Sequence, residues 1–425
     1  MLFSTNKKSF KSVFFIVLLY RITLDIIYIY GIYPYYDYLY NFKYSYSIER
    51  FFYSYLLIIP FGYVIYKYTD KRDISSLFIL ALTMVYFLPG TSIYCWDGLS
   101  FVYFVFYLLF FLLLVLYNKI LPHYKFVRKR KSGKNFINRL AIIIAVINAL
   151  FIVYFHGFNL TLDFSDIYDM REDWSSTNIP TIMAYFQPFA ARFIPILIVY
   201  FVCKKKYFYV LLLFISQLLS FSFGGMKYTF FALIISLLVG FFYSNFKRII
   251  ILYGLLGINI LSILELFLLQ RESFIITFLT RRLSYVPNKI SYYYYEFFCR
   301  NELLYLRESF LRWFGFENPY NKRIPALIGD YAFGRTMGAN TGMFGEAYSQ
   351  FGWLSTFIYP LFYILAFRLL EASYTIRNKV DYKMIFTTVI LFTISFIDGS
   401  FFSILLTQGF LLTCLLLYFM SNAKK

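Results

Sequence analysis

Long apolar stretches recur along the whole chain and are separated by short segments that carry most of the charge. A stretch of about 18 or more apolar residues can cross the hydrocarbon core of a bilayer as a helix. We therefore predict an all-α polytopic membrane protein of about twelve transmembrane helices. The predicted spans lie near 12–33, 51–67, 74–94, 99–118, 138–157, 181–202, 207–224, 228–244, 249–269, 351–370, 384–397 and 401–419.

Composition supports this class of protein. The 425 residues are 60% hydrophobic and only 15% charged, whereas soluble domains average roughly 45–50% apolar and about 25% charged residues. Apolar runs reach from end to end, so we predict a single membrane domain over 1–425 rather than a soluble enzyme with an anchor. The first run, preceded by lysines, is too long for a signal peptide and carries Arg21 and Asp25, so we expect it to be retained.

The positions of the basic residues predict the orientation. With a cytoplasmic N-terminus, more than half of the 41 Lys and Arg residues fall in cytoplasmic segments, including the run 119–139. Basic residues accumulate on the cytoplasmic side of membrane proteins. We therefore predict that both termini are cytoplasmic. The net charge of +19 then reflects membrane topology, and no nucleic-acid partner is expected.

Three outer features stand out from otherwise short connections. One is the turn 223–227, and the other two are loops. An acidic loop spans 158–180 and contains Asp169 and Arg171, and a large basic loop spans 270–350. A loop that long inside a compact domain is usually functional or disordered, and this one is too rich in Leu, Phe and Tyr to be disordered. Within it, 301–314 has helical spacing and predicts a helix on the outer leaflet or against the spans. The basic residues of the large loop are Arg271, Arg281, Arg282, Lys289, Arg300, Arg307, Arg312, Lys322, Arg323 and Arg335.

Ionisable residues within or beside the spans are candidates for function. Arg21 and Asp25 are four residues apart on one helix face, so we expect them to pair. Arg192 lies mid-span without a local partner in sequence. Further candidates at predicted outer positions are Lys227, Glu265, Asp398 and His156.

Metal and nucleotide sites are not expected. The chain has four cysteines and two histidines, and none has the spacing of a metal site. Glycines crowd the end of the large loop, including Gly342 and Gly345, and allow either close packing or an anion-binding backbone. The loop contains no GxxxxGK, so a P-loop is excluded. No cofactor is predicted.

Three short stretches carry a family resemblance. Residues 168–171 read Y-D-M-R before the sixth span, and 224–227 read G-G-M-K at the start of the eighth. Residues 341–352 read T-G-M-F-G-E-A-Y-S-Q-F-G and lead into the tenth span. These stretches and the position of the large loop resemble the bacterial O-antigen and capsule repeat-unit polymerases of the Wzy type, which are related to the O-antigen ligases. The ligases have a histidine late in this loop, whereas this chain has Ala339-Asn340, so no histidine base is expected there.

The resemblance implies a glycosyltransferase of the bacterial inner membrane. Undecaprenyl-pyrophosphate oligosaccharides would be donor and acceptor, and membrane lipid and a chain-length regulator protein would be further partners. Because the leaving group is already a pyrophosphate, the chemistry requires charge neutralisation and positioning rather than a cofactor. Arg281, Arg282 and Glu346 are expected to be catalytic, with Glu346 or an acid of 163–173 orienting or deprotonating the acceptor hydroxyl. Substrate-binding roles are expected for Arg171, Lys227, Arg271, Arg192, Tyr348 and Asp169.

Two other functions remain open. A lipid-linked oligosaccharide flippase also has about twelve spans, but transporters commonly show repeated halves and short loops, and no match between 1–210 and 211–425 is visible. A different lipid-phosphate-sugar glycosyltransferase would use Asp37 or Glu49 of the first outer loop and would depend on metal.

Overall fold

The computed structural model describes residues 9–126, 135–157, 179–243, 247–269, 272–309, 311–335 and 337–421. Within these ranges every regular element is a helix, which confirms the all-α class. The helices are Phe10–Ile27, Tyr28–Ile32, Tyr33–Tyr40, Ile48–Leu56, Ile58–Thr69, Ile74–Leu82, Thr83–Phe87, Leu88–Asp97, Phe101–Ile120, Phe136–His156, Thr181–Cys203, Tyr207–Gly224, Lys227–Phe242, Ile250–Leu269, Ile276–Tyr285, Val286–Phe298, Leu311–Phe314, Ile324–Phe333, Met343–Phe351, Gly352–Leu354, Ser355–Ser373, Lys379–Asp398, Phe401–Leu405 and Phe410–Ser421.

The chain is a multi-pass membrane protein. In the described part of the chain, 11 helices are long and apolar enough to cross a bilayer. A twelfth predicted span, 228–244, corresponds to the apolar helix Lys227–Phe242, which has 16 residues. The predicted last two spans are observed as Lys379–Asp398 and Phe401–Met420. They are separated by Gly399 and Ser400.

The helices form two compact units. The first contains Met1–Pro122, Lys247–Phe367 and Thr393–Phe402. The second contains His123–Phe246, Arg368–Phe392 and Ser403–Lys425. In the second, the helices Thr181–Cys203, Tyr207–Gly224 and Lys227–Phe242 pack against one another, and Phe136–His156 covers Tyr207–Gly224.

Three π-helical segments lie in the first unit: Tyr28–Ile32, Thr83–Phe87 and Ile276–Tyr285. In each case the helix that follows has proline as its second residue: Pro34, Pro89 or Pro287. Proline has no N–H, and its ring clashes with the carbonyl four residues earlier in an α-helix. A π-register moves that carbonyl away, which explains why the wide turns precede these prolines. The segment Ile276–Tyr285 packs against the other two.

The core of the first unit contains a buried polar network. Arg21 pairs with Asp25, as predicted, and its Nε donates to Thr91 Oγ1 at 3.0 Å. Asp25 also accepts hydrogen bonds from the hydroxyl of Tyr55 and the indole N–H of Trp96, both at 2.7 Å. Because the buried charges are paired and hydrogen-bonded, this network has a structural role.

The segment 270–350 is mostly helical. It contains Ile276–Tyr285, Val286–Phe298, Ile324–Phe333 and the helix Met343–Phe351, which leads into the next span. The prediction of a helix over 301–314 is wrong. The described residues of that range form turns and the short 3-10 helix Leu311–Phe314. Tyr305 and Leu306 have φ values of 49° and 63°, in the left-handed region that an α-helix cannot contain. The backbone there hydrogen-bonds to Ser349 and Gln350 instead.

Candidate functional site

Arg281 is a buried cation with unused hydrogen-bond donors. It lies on Ile276–Tyr285, which we call the arginine segment, and is only 4% exposed. Its guanidinium lies 4.2 Å from the centre of the Tyr36 ring, and Nη2 donates to the carbonyl of Thr277 at 3.4 Å. Nε and Nη1 have no hydrogen-bond partner among the described residues. Two N–H-bearing nitrogens of a buried arginine are therefore available to a ligand.

Arg282 places a second positive charge beside the first. It is partly buried, its guanidinium lies 5.9 Å from the centre of the Tyr40 ring, and its Nε is buried without a hydrogen bond to any described residue. Asp398, at the end of Lys379–Asp398, is close enough to act on Arg282 electrostatically. We call the group Arg281, Arg282, Tyr36, Tyr40 and Asp398 the arginine site.

The electrostatics of the arginine site favour an anion. Burial lowers the pKa of Arg281, and the neighbouring charge of Arg282 lowers it further. Arginine nevertheless stays protonated in proteins. The guanidinium of Arg281 is therefore a positive charge that burial has removed from water, which costs free energy. A bound anion would offset this cost and would accept the unused N–H groups. A planar guanidinium suits phosphate oxygens in particular.

Glu265 holds the start of the arginine segment. Its carboxylate accepts a hydrogen bond from the hydroxyl of Ser273 at 2.5 Å, from the backbone N–H of Phe274 at 2.8 Å and from that of Ile275 at 2.9 Å. These are N–H groups that a helix leaves without internal partners at its beginning. Glu265, a candidate from its position in the sequence, therefore fixes where the arginine segment begins.

A buried ion pair at the other end of the segment was not predicted. Lys289 Nζ lies 2.6 Å from Asp97 Oδ2, with side chains 3% and 0% exposed. Asp97 also accepts the backbone N–H of Lys43 at 2.7 Å. Burial lowers the pKa of Lys289, and the carboxylate of Asp97 opposes that shift. In the sequence, Lys289 was noted only as one of the basic residues of the large loop. Asp97 lies too far away along the chain for the pair to be predicted.

Glu346 lies inside the protein. It is 6% exposed, its Oε1 accepts the hydroxyl of Tyr359 at 3.2 Å, and the backbone N–H of Phe401 faces the carboxylate. No salt bridge of Glu346 is seen among the described residues. Its carboxylate is therefore buried, to about the same degree as the guanidinium of Arg281.

The nearby glycines serve packing. A Cβ on Gly342 would lie 2.0 Å from the carbonyl oxygen of Phe396, and one on Gly345 would lie 2.6 Å from the Cα of Ser291. Both positions therefore require glycine because another backbone approaches closely. Tyr348 follows on the same helix, is 8% exposed, and has its ring 4.9 Å from that of Tyr295.

Two predicted substrate-binding residues lie in the second unit. Arg192 donates to the carbonyl of Pro188 at 2.9 Å, contacts Gln408 Oε1, and lies 4.8 Å from the centre of the Tyr228 ring. Its side-chain partners Gln408 and Tyr228 are distant in sequence, which is why they were not predicted. Lys227 is partly exposed and begins the helix Lys227–Phe242.

The remaining predicted site residues lie outside the described residues. These are Asp169 and Arg171 of the acidic loop, together with Arg271; the side chain of His156 also lies outside the description. Within the described ranges, no three His, Cys, Asp or Glu residues are grouped as a metal site.

Comparison with known proteins adds no relative. No family model, no curated protein and no solved structure matches this chain. The proposed function is therefore inferred from the arginine site and from the resemblance of the short sequence motifs.

Proposed function

We propose that this protein polymerises undecaprenyl-pyrophosphate-linked oligosaccharide repeat units into O-antigen or capsular polysaccharide. The reaction would take place at the outer face of the bacterial inner membrane, with both termini in the cytoplasm. In this proposal Arg281 and Arg282 bind the pyrophosphate of the donor and stabilise the charge that develops on it as it leaves.

The observation that carries the proposal is the pair of arginines with unused donors. Arg281 is buried, and its Nε and Nη1 have no hydrogen-bond partner in the described part of the chain. A structural arginine in the same unit, Arg21, is instead paired with Asp25 and hydrogen-bonded to Thr91. This contrast supports a ligand role for Arg281, because buried donors are normally satisfied.

The chemistry of the site fits transfer from a pyrophosphate. An acceptor hydroxyl attacks the sugar carbon, and the pyrophosphate leaves with the bonding electrons. Preorganised cations near a developing phosphate charge stabilise the transition state more than the ground state. We infer inversion at the sugar carbon from a single displacement. Arg171, Lys227, Arg271, Arg192, Asp169 and Tyr348 stay proposals for substrate contact, and Glu346 stays a proposal for a catalytic role.

A flippase for lipid-linked oligosaccharides is the second candidate, since a pyrophosphate-binding arginine site also suits a transporter. Deletion of the gene in its host, followed by sizing of the surface polysaccharide, separates the two. Loss of a polymerase leaves single-repeat material displayed outside. Repeat units trapped on the inner leaflet would contradict polymerisation and favour the flippase.

A further inference from the structure

Asp398 is an accessible carboxylate beside the arginines. It ends the helix Lys379–Asp398, and its side chain is exposed to solvent. Asp398 makes no hydrogen bond or ion pair with any described residue, so Arg282 acts on it from beyond direct contact. The space between the two charges is therefore not closed by a salt bridge.

The backbone around Asp398 is firmly held. The N–H of Gly342 donates to the carbonyl of Ile397 at 2.8 Å. A Cβ at Gly342 would meet the carbonyl oxygens of both Phe396 and Gly399, at 2.0 and 2.5 Å. Close backbone packing on both sides of Asp398 fixes the turn against the start of the helix Met343–Phe351. Thr341, next to Gly342, donates its hydroxyl to the carbonyl of Pro287 at 3.3 Å, so the turn lies near the end of the arginine segment. A carboxylate in a fixed position is suited to orient a reacting group.

Glu346 supports this turn from inside the protein. Its carboxylate faces the N–H of Phe401, on the far side of the turn from Ile397, and accepts the hydroxyl of Tyr359. Glu346 is 6% exposed and Asp398 is exposed, so Asp398 is the more accessible of these two carboxylates. With Asp398 as the base, Glu346 would position the turn.

We infer that Asp398 is the general base that takes the proton from the acceptor hydroxyl, an assignment that rests on the proposed function. The acceptor oxygen forms a bond to the sugar carbon, and the bond from that carbon to the pyrophosphate oxygen breaks. The bonding electrons leave with the undecaprenyl pyrophosphate beside Arg281 and Arg282. The hydroxyl proton moves to the Asp398 carboxylate and is then released to water.

The test uses the full-length protein in proteoliposomes with undecaprenyl-pyrophosphate repeat units as donor and acceptor. Asp398→Asn should lower the rate of chain extension by about 100-fold or more, as loss of a general base does, while the KM for the donor stays near its wild-type value. The rate should also lose its fall toward acidic pH. The exposed carboxylate variant Glu317→Gln is the control and should extend chains at the wild-type rate.

Asp398→Asn extending at the wild-type rate, or keeping the acidic fall, would overturn the inference while leaving the polymerase proposal intact. Absence of extension by the wild-type protein would overturn both. If the Asn variant does not accumulate, Asp398→Ala is assayed with added formate. Recovery of extension by formate supports the base, and no recovery overturns it.

Discussion

Lys289 Nζ lies 2.6 Å from Asp97 Oδ2 in a fully buried ion pair. The pair joins the helix Val286–Phe298, which continues directly from the arginine segment, to the end of the helix Leu88–Asp97. At the other end of the segment, Glu265 binds the backbone N–H groups of Phe274 and Ile275. Arg281 and Arg282 are therefore carried on a segment that is fixed at both ends, as a preorganised site requires.

Removing one partner of the ion pair should destabilise the protein strongly. Lys289→Met leaves the Asp97 carboxylate buried without its counter-charge, which costs about 3–5 kcal/mol in comparable buried pairs. The free energy of unfolding, measured in mixed micelles, should fall by that amount. The double variant Lys289→Met with Asp97→Asn should recover most of the loss, because no buried charge remains. A single variant as stable as the wild type would show that the pair is not buried.

Arg281 should be needed for chain extension and not for folding. Arg281→Ala removes Nε and Nη1, which have no hydrogen-bond partner among the described residues, so we expect extension to fall by about 100- to 1,000-fold, as for loss of one transition-state donor. The amount of protein in the membrane should not change. Arg300→Ala is the control, since Arg300 is an exposed basic residue of the same loop. Normal chain lengths with Arg281→Ala would remove Arg281 from the site.

Glu265→Gln should loosen the start of the arginine segment. The substitution replaces one acceptor oxygen with an NH₂ group, so either Phe274 or the pair Ser273 and Ile275 loses its bond to the side chain. Loss of a hydrogen bond to a charged group costs about 1.5–3 kcal/mol. Amide hydrogen exchange over 273–285 should become faster, with no change in the helix Phe101–Ile120. Unchanged exchange over 273–285 would show that Glu265 does not hold the segment.

Alanine should be tolerated at one helical glycine and not at another. A Cβ at Gly345 would lie 2.6 Å from Ser291 Cα, whereas one at Gly254 meets nothing within 4 Å. We expect Gly345→Ala to destabilise the protein by about 1–3 kcal/mol through overpacking. Gly254→Ala should be neutral or stabilising by up to about 1 kcal/mol, because alanine favours the helix. Equal thermal stability of the two variants in detergent would contradict the close approach at Gly345.

The fold was largely predictable because a bilayer imposes a strong length and hydrophobicity constraint. The spans and the pairing of Arg21 with Asp25 follow from local sequence alone. The prediction of a helix over 301–314 was wrong because helical periodicity there competes with backbone hydrogen bonds to Ser349 and Gln350, which are distant in the sequence. Each of the three π-helical segments precedes a proline, Pro34, Pro89 or Pro287. Hydrophobic periodicity alone does not distinguish a π-helical turn from an α-helical one.

The site was predictable only in part. Excess arginine in the large loop made Arg281 and Arg282 candidates, since basic residues are not expected on the outer side to which the loop is predicted. Glu346 is buried and Asp398 is exposed. This difference depends on packing between segments that are far apart in the chain. Asp97, the partner of Lys289, is likewise 192 residues away. Gln408, which Arg192 contacts, is 216 residues away. Contacts over such separations leave no pattern in a single sequence.

We propose that this protein joins repeat units and that Arg281 is needed for the joining. The most direct measurement is chain length after purified protein in proteoliposomes is incubated with undecaprenyl-pyrophosphate repeat units. We predict a ladder of products longer than one repeat with the wild-type protein and with Arg300→Ala, and single repeats alone with Arg281→Ala. Movement of repeat units across the bilayer without any elongation by the wild-type protein would contradict the claim.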